Sequence, residues 1–201
     1  MEKVKFKPNS VFKEKAEHLF AEQKARIETV FQSADIQHVG GTAIPNLFTK
    51  GDLDINVRVN KNSFTSMVES LKMLYKINQP ENWSNTFASF KDDESFELPL
   101  GVQVTVMGSP EDHFMKHREV LRNNLQLVEE FNILKSRFEG GDMAEYRMSK
   151  SEFLEKIGKD LTLKIQENIL LAPYTIYKIG GAARFFAEVR TSDEMVEALE
   201  F

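Results

Sequence analysis

The sequence predicts an α+β fold in which a small mixed β-sheet packs against N-terminal and C-terminal helices, with a short β-rich extension at the C-terminus. Three observations lead there. Apolar residues recur at helical spacing over residues 12–31, 64–74 and 114–138, which marks amphipathic helices. Short alternating segments at 36–39, 53–59, 86–91 and 101–107 read as strands with one buried face. The order helix, strand, strand, helix, strand, strand, helices suits neither a helical bundle nor a β-sandwich.

Taken in order, Asn9 or Ser10 is placed to cap the first helix, whose stripe is Phe12, Ala16, Leu19, Phe20, Ile27, Val30 and Phe31. The strand Ile36 to Val39 follows, then Gly40-Gly41-Thr42, then the strand carrying Asp52-Leu53-Asp54-Ile55. Asn62 or Ser63 opens a second helix through Phe64, Met67, Val68, Leu71 and Leu74. Thr86 to Lys91 and Gly101 to Met107 supply two further strands. Ser109-Pro110-Glu111-Asp112 combines an N-cap, an N1 proline and acidic first-turn residues, predicting one long helix from there to Gly140-Gly141. Ser149-Lys150-Ser151-Glu152 is a capping box and predicts a last helix carrying Phe153, Ile157, Leu161 and Ile165. From Pro173 to Val189 the chain reads as strand, glycine turn, strand, and Thr191 to Leu199 as the start of a helix.

Composition narrows the function classes. Of 201 residues, 41% are apolar and 28% charged, as in a globular domain with one sizeable core. The net charge of -5 argues against a nucleic-acid-binding surface over the whole molecule and leaves room for a local basic cleft. With no cysteine, disulfides, thiolate metal sites and a cysteine nucleophile are excluded. The charged start Met1-Glu2-Lys3-Val4-Lys5 and the lack of a long apolar run predict a cytoplasmic protein without a membrane partner.

The chemistry concentrates at the glycine pair and the aspartates ten residues beyond it. Glycines without Cβ let backbone N–H groups approach a phosphate, and Thr42 adds a hydroxyl. Asp52 and Asp54, at i and i+2 of a strand, point to one face, where they can hold a divalent cation. Each half alone is commonplace, a turn and a pair of solvated carboxylates, but the spacing and the apolar flanks Val39, Leu53 and Ile55 join them into a metal-nucleotide site. His113 and His117 stand at i and i+4 without a third ligand and read as a solvated helix face. Trp83 either stacks on a base or covers the sheet edge.

These motifs resemble two families. His38-Val39-Gly40-Gly41-Thr42-Ala43-Ile44-Pro45, Lys50 and Asp54-Ile55 are similar to the signature of the GrpB family, also called UPF0157, within the nucleotidyltransferase superfamily. The resemblance continues through Gly108-Ser109-Pro110, Arg118, Glu119, Leu121, Arg122, Lys135, Tyr146, Lys150, Phe153 and Leu154, and it covers roughly residues 5 to 165. Gly41 stands where the family normally has Ser. The resemblance implies Mg2+ held by Asp52 and Asp54, phosphate held by Gly40, Gly41, Thr42 and Lys50, and a clamp made by Arg118 and Arg122. It implies a third carboxylate on the following strand, where register selects the amide Gln103 and the nearest acid, Glu97, lies beyond Pro99.

Two functions follow from that resemblance: transfer of a nucleotidyl group to a small molecule, or nucleotide sensing without turnover. The partner expected is a nucleotide or nucleotide-containing small molecule. The stretch Leu171 to Ala183, with Tyr177-Lys178-Ile179-Gly180-Gly181-Ala182, resembles the beginning of UDP-N-acetylenolpyruvoylglucosamine reductase (MurB). It implies a division into a GrpB-like domain at 1–168 and the start of a flavin domain at 169–201, with FAD expected only in a complete domain. A third reading is thus the N-terminal part of a fusion with that reductase of peptidoglycan synthesis.

Overall fold

The computed structural model describes residues 3–159, 165–189, 195–196, 198–199 and 201. The chain divides into two compact units, Met1–Glu155 and Lys156–Phe201. The first is built on a five-stranded mixed sheet in the order β2-β4-β7-β6-β5: β2 is Asp35–Val39, β4 Leu53–Val59, β5 Lys76–Ile77, β6 Phe87–Asp92 and β7 Leu100–Val106. Only β4 and β7 run parallel, in the register Leu53↔Leu100 through Val59↔Val106. A parallel pair needs a crossover, and α2 (Phe64–Lys72) with β5 and β6 supplies it. A separate two-stranded ladder joins β1 (Lys7–Pro8) to β3 (Phe48–Thr49).

Alternation along β4 and β7 sends the two kinds of side chain to opposite faces. Leu53, Ile55, Val57 and Val59 meet Leu100, Val102, Val104 and Val106 in the main core, under α1 (Lys13–Val30) and α2. Ala16, Leu19 and Ile27 of α1 and Met67 and Leu71 of α2 are all buried there. The other residues of β4, namely Asp54, Asn56 and Arg58, belong to the opposite face, the direct result of the two-residue period of a strand.

Four sequence expectations are displaced. Asn9 caps nothing; its buried amide donates to the carbonyls of Gly41 and Thr42, and α1 begins without a side-chain cap. The long helix expected from Ser109 starts instead at Phe114, because Asp112 is drawn away to Arg58, and it is two helices, α3 (Phe114–Asn123) and α4 (Leu125–Arg137). Asn124 separates them in an extended conformation and caps α4 by accepting from the Leu127 N–H. The last helix, α5, spans Met143–Lys159, beginning a turn and a half before the capping box, since Asp142 accepts the N–H groups of Ala144 and Glu145.

In the second unit β8 (Gln166–Leu170) pairs antiparallel with β9 (Ala182–Phe186). The strand expected from Pro173 is a 3-10 turn at Ala172–Tyr174; the first strand lies before it. Leu161 of the predicted last helix and most of the helix expected from Thr191 lie outside the described residues. Among the described residues, no helix is long and apolar enough to cross a membrane.

Candidate nucleotide site

The glycine turn and the carboxylate strand touch. Gly40, at φ +73°, lies where an added Cβ would stand 2.2 Å from Asp54 Oδ2, so both its backbone conformation and its neighbour require glycine. Gly41 is pressed in the same way on Thr49, whose Oγ1 would lie 2.7 Å from an added Cβ. Gly101, opposite Asp54 in the parallel ladder, would bring a Cβ within 2.9 Å of Asp54 Oδ1. The Asp54 carboxylate therefore occupies a notch made by two missing side chains.

Polar bonds brace this turn from inside. Thr42 is buried and donates to the Asp52 carbonyl at 3.0 Å, while His38 Nε2, at 3.0 Å, donates to the Thr42 hydroxyl. The hydroxyl expected to face a phosphate is engaged in tying the turn to the aspartate strand. Asn9, which sequence reasoning placed at a helix start, completes the brace from the other side, and nothing in a lone Asn-Ser pair signals that role. Burial, then Arg118 and Arg122, push the His38 imidazole down to about 4.

Lys50 pairs with Asp52 at 3.2 Å, so the two loop charges partly neutralise each other beside the cleft. Burial, then the Asp52 charge, raise the Asp54 carboxyl to about 6, against the pull of Lys150, the Gln103 amide and Lys50. Gln103 stands where a third carboxylate was sought. Its Nε2 lies 3.4 Å from Asp54 Oδ1, and its buried Oε1 has no partner. Among the described residues, no group of three or more His, Asp or Glu side chains is placed to hold a metal. Position 103 thus supplies an amide, not the further carboxylate that a pair of metal ions would need beside Asp54.

Arg118 and Arg122 both act on His38 electrostatically, but their side chains are engaged differently. Arg118 bonds the His38 carbonyl at 2.7 Å, Gln37 Oε1 at 3.1 Å and its neighbour Glu119, which fixes α3 to β2. Arg122 is exposed one turn on. Lys135, one of the positions that carry the family resemblance, is buried: its Nζ donates to the Phe48 carbonyl and lies 4.4 Å from the Phe131 ring centroid. Desolvation, aided by Lys150, lowers its ammonium to about 7. Tyr146 is buried too, in a small cluster with Val4 and Met143, and burial raises its phenol. Trp83 covers the sheet, 5.3 Å from Phe90, with its indole N–H on the Asn78 carbonyl. The His113 and His117 ring centroids lie 4.9 Å apart with the planes tilted by 46°, and among the described residues no third ligand joins them.

Asp54 and Gln103 separate two hollows. One is an open polar cleft of about 740 Å³ bordered by Lys3, Lys5, Lys50, Lys91 and Arg147. The other is a closer pocket of about 200 Å³ between the glycine turn and α3, α4 and α5.

A model of the family described as GrpB protein matches residues 11–160. The chain belongs to the GrpB family. A UPF0157 protein of Vibrio cholerae serotype O1 is 33% identical over 141 residues, covering 70% of this chain and 74% of that protein. The crystal structure of the conserved protein GrpB from Enterococcus faecalis superposes with a TM-score of 0.60 at 18% identity, over 72% of this chain and 91% of that one. That match supports the GrpB fold seen here. The Cid1 poly(U) polymerase with MgGTP bound gives a TM-score of 0.48 at 10% identity, over 65% of this chain and 43% of the polymerase.

Proposed function

We propose that this GrpB protein binds a nucleotide together with one magnesium ion at the Asp52, Asp54 and Gly40 junction. The observation that carries the reading is the close approach of the Gly40 turn to the Asp54 carboxylate, which brings a backbone suited to phosphate against a group suited to a cation. Asp52 and Asp54 would hold the ion, which supplies charge neutralisation to the phosphates when bound. Lys50, Lys91 and Arg147 give the cleft a cationic border, and its volume of about 740 Å³ fits a nucleotide-sized ligand.

Between transfer and sensing, Gln103 favours sensing. A two-ion transfer site needs a further carboxylate beside Asp54, and an amide is found there. Calorimetric titration of ribonucleoside triphosphates and coenzyme A precursors with magnesium, on wild type and Asp54→Asn, tests the reading. Magnesium-dependent binding lost in the variant is the expected result. No binding at millimolar concentration overturns it.

The tail from residue 169 as the opening of a reductase-like flavin domain stands as a separate proposal, carried by the Tyr177 to Ala182 motif. Reading the coding sequence downstream for the remainder of that domain tests it.

A further inference from the structure

The pocket of about 200 Å³ on the far side of Asp54 is smaller than a nucleotide site and is built differently from the cleft. Its walls are largely apolar, with Ile44, Leu47, Leu121, Phe131 and Leu154 among them. Two lysines line it as well, the buried Lys135 and the exposed Lys150. One bond ties Lys135 Nζ, to the Phe48 carbonyl, leaving further donor positions on the same nitrogen. At the boundary with the cleft stand two acceptors, the Asp54 carboxylate and the Gln103 side chain, whose buried Oε1 is unpartnered. A buried acceptor without a donor carries a desolvation cost that a ligand's O–H or N–H removes.

We infer that this pocket binds a small carboxylic acid with an apolar side chain and a hydrogen-bond donor on the α-carbon, that is, a 2-hydroxy or 2-amino acid. The carboxylate pairs with Lys135 and Lys150, the side chain fills the space against Leu121 and Phe131, and the α-substituent donates to Gln103 Oε1, an α-ammonium also to Asp54. The class follows from matching three features of one pocket: cations, apolar walls and free acceptors. A nucleotide is excluded by size, and a purely apolar ligand would leave Gln103 Oε1 and the remaining donor positions of Lys135 Nζ unmatched. The inference deepens the proposed nucleotide reading, since Asp54 would border both ligands, but the pocket does not depend on it.

The test uses ligand-observed NMR and calorimetry on the full chain with three probes: 2-hydroxy-4-methylpentanoate, leucine and 4-methylpentanoate. The first two carry the donor and separate a hydroxy-acid ligand from an amino-acid ligand; the third lacks it. Binding of either donor-bearing acid at least tenfold tighter than 4-methylpentanoate is expected. Lys150→Met, at an exposed position, should weaken that binding by tenfold or more with the circular dichroism spectrum unchanged. Lys135→Met should abolish it, with circular dichroism checking the fold. Equal affinity for all three acids, or no acid binding at 10 mM, overturns the inference, and nucleotide binding in that same sample shows that the cleft reading survives on its own.

Discussion

Gly40 and Asp54 are in mutual exclusion: the carboxylate fills the space in which any larger residue at position 40 would place its Cβ, 2.2 Å from Oδ2. Gly40→Ala therefore meets both a steric and a conformational obstacle, the latter from φ +73°. It should cost about 1–3 kcal/mol and displace Asp54. Urea denaturation reads the first effect. Loss of magnesium-dependent nucleotide binding reads the second.

Arg58 and Asp112 form a buried bidentate pair at 2.8 Å, with Asp112 also accepting from Thr105 and the Gly108 N–H. Arg58 reaches Asp35 on the neighbouring strand as well, at 2.9 Å. Asp112→Ala removes the bidentate counter-charge of a buried guanidinium and leaves it the single bond to Asp35 among its carboxylate contacts described above. About 3–5 kcal/mol of stability should be lost, measured by chemical denaturation.

His38 and His117 are both lowered to about 4, each chiefly by burial. A folded-state value below the unfolded 6.5 means that their contribution to stability is complete above that pH and is lost as pH falls toward 4. Asp54 has the opposite sign. Raised to about 6, it contributes most below its unfolded value of 3.8, and that contribution is lost as pH rises through 6. Melting temperature should fall between pH 6.5 and 4, less steeply in His38→Asn. Asp54→Asn should melt higher than wild type at pH 7.5, and that advantage should vanish at pH 4.

Gln103→Asp adds a third carboxylate beside Asp54. Without metal, repulsion with Asp54 should lower the melting temperature, and millimolar magnesium should restore it by several degrees more than in wild type. A magnesium response equal to that of wild type would show that position 103 does not face the ion.

The strands of the central sheet were legible because alternation is a local property: Val102, Val104 and Val106 announce a buried face without any knowledge of the fold. The Asp54 strand and the glycine turn were legible for the same reason. Helix boundaries were less so, since Asn9 looks like a local cap and Asp112 like a first-turn acid, but they bond to residues 32 and 54 positions away. Distance in sequence hides such partners. Lys135 shows the limit most clearly: its type and helical position describe a solvated residue, and only the packing of Phe131 and the Phe48 carbonyl around it makes it a buried ammonium. The ladder of β1 with β3 involves two residues on each side, too few for any periodicity to register.

The parallel pairing of β4 with β7 also sets an order of events. Asn56 and Gln103 are 47 residues apart, and the chain must complete α2, β5 and β6 before those two strands can meet. Closing so long a loop slows folding, because entropy is lost before the contacts that compensate for it form. Asp54 gains its neighbours Gly101 and Gln103 only after that closure. A nascent or partly refolded chain can hold its first helix and the β2–β4 hairpin while having no cleft at all, so ligand binding in refolding experiments should lag behind the recovery of helical signal.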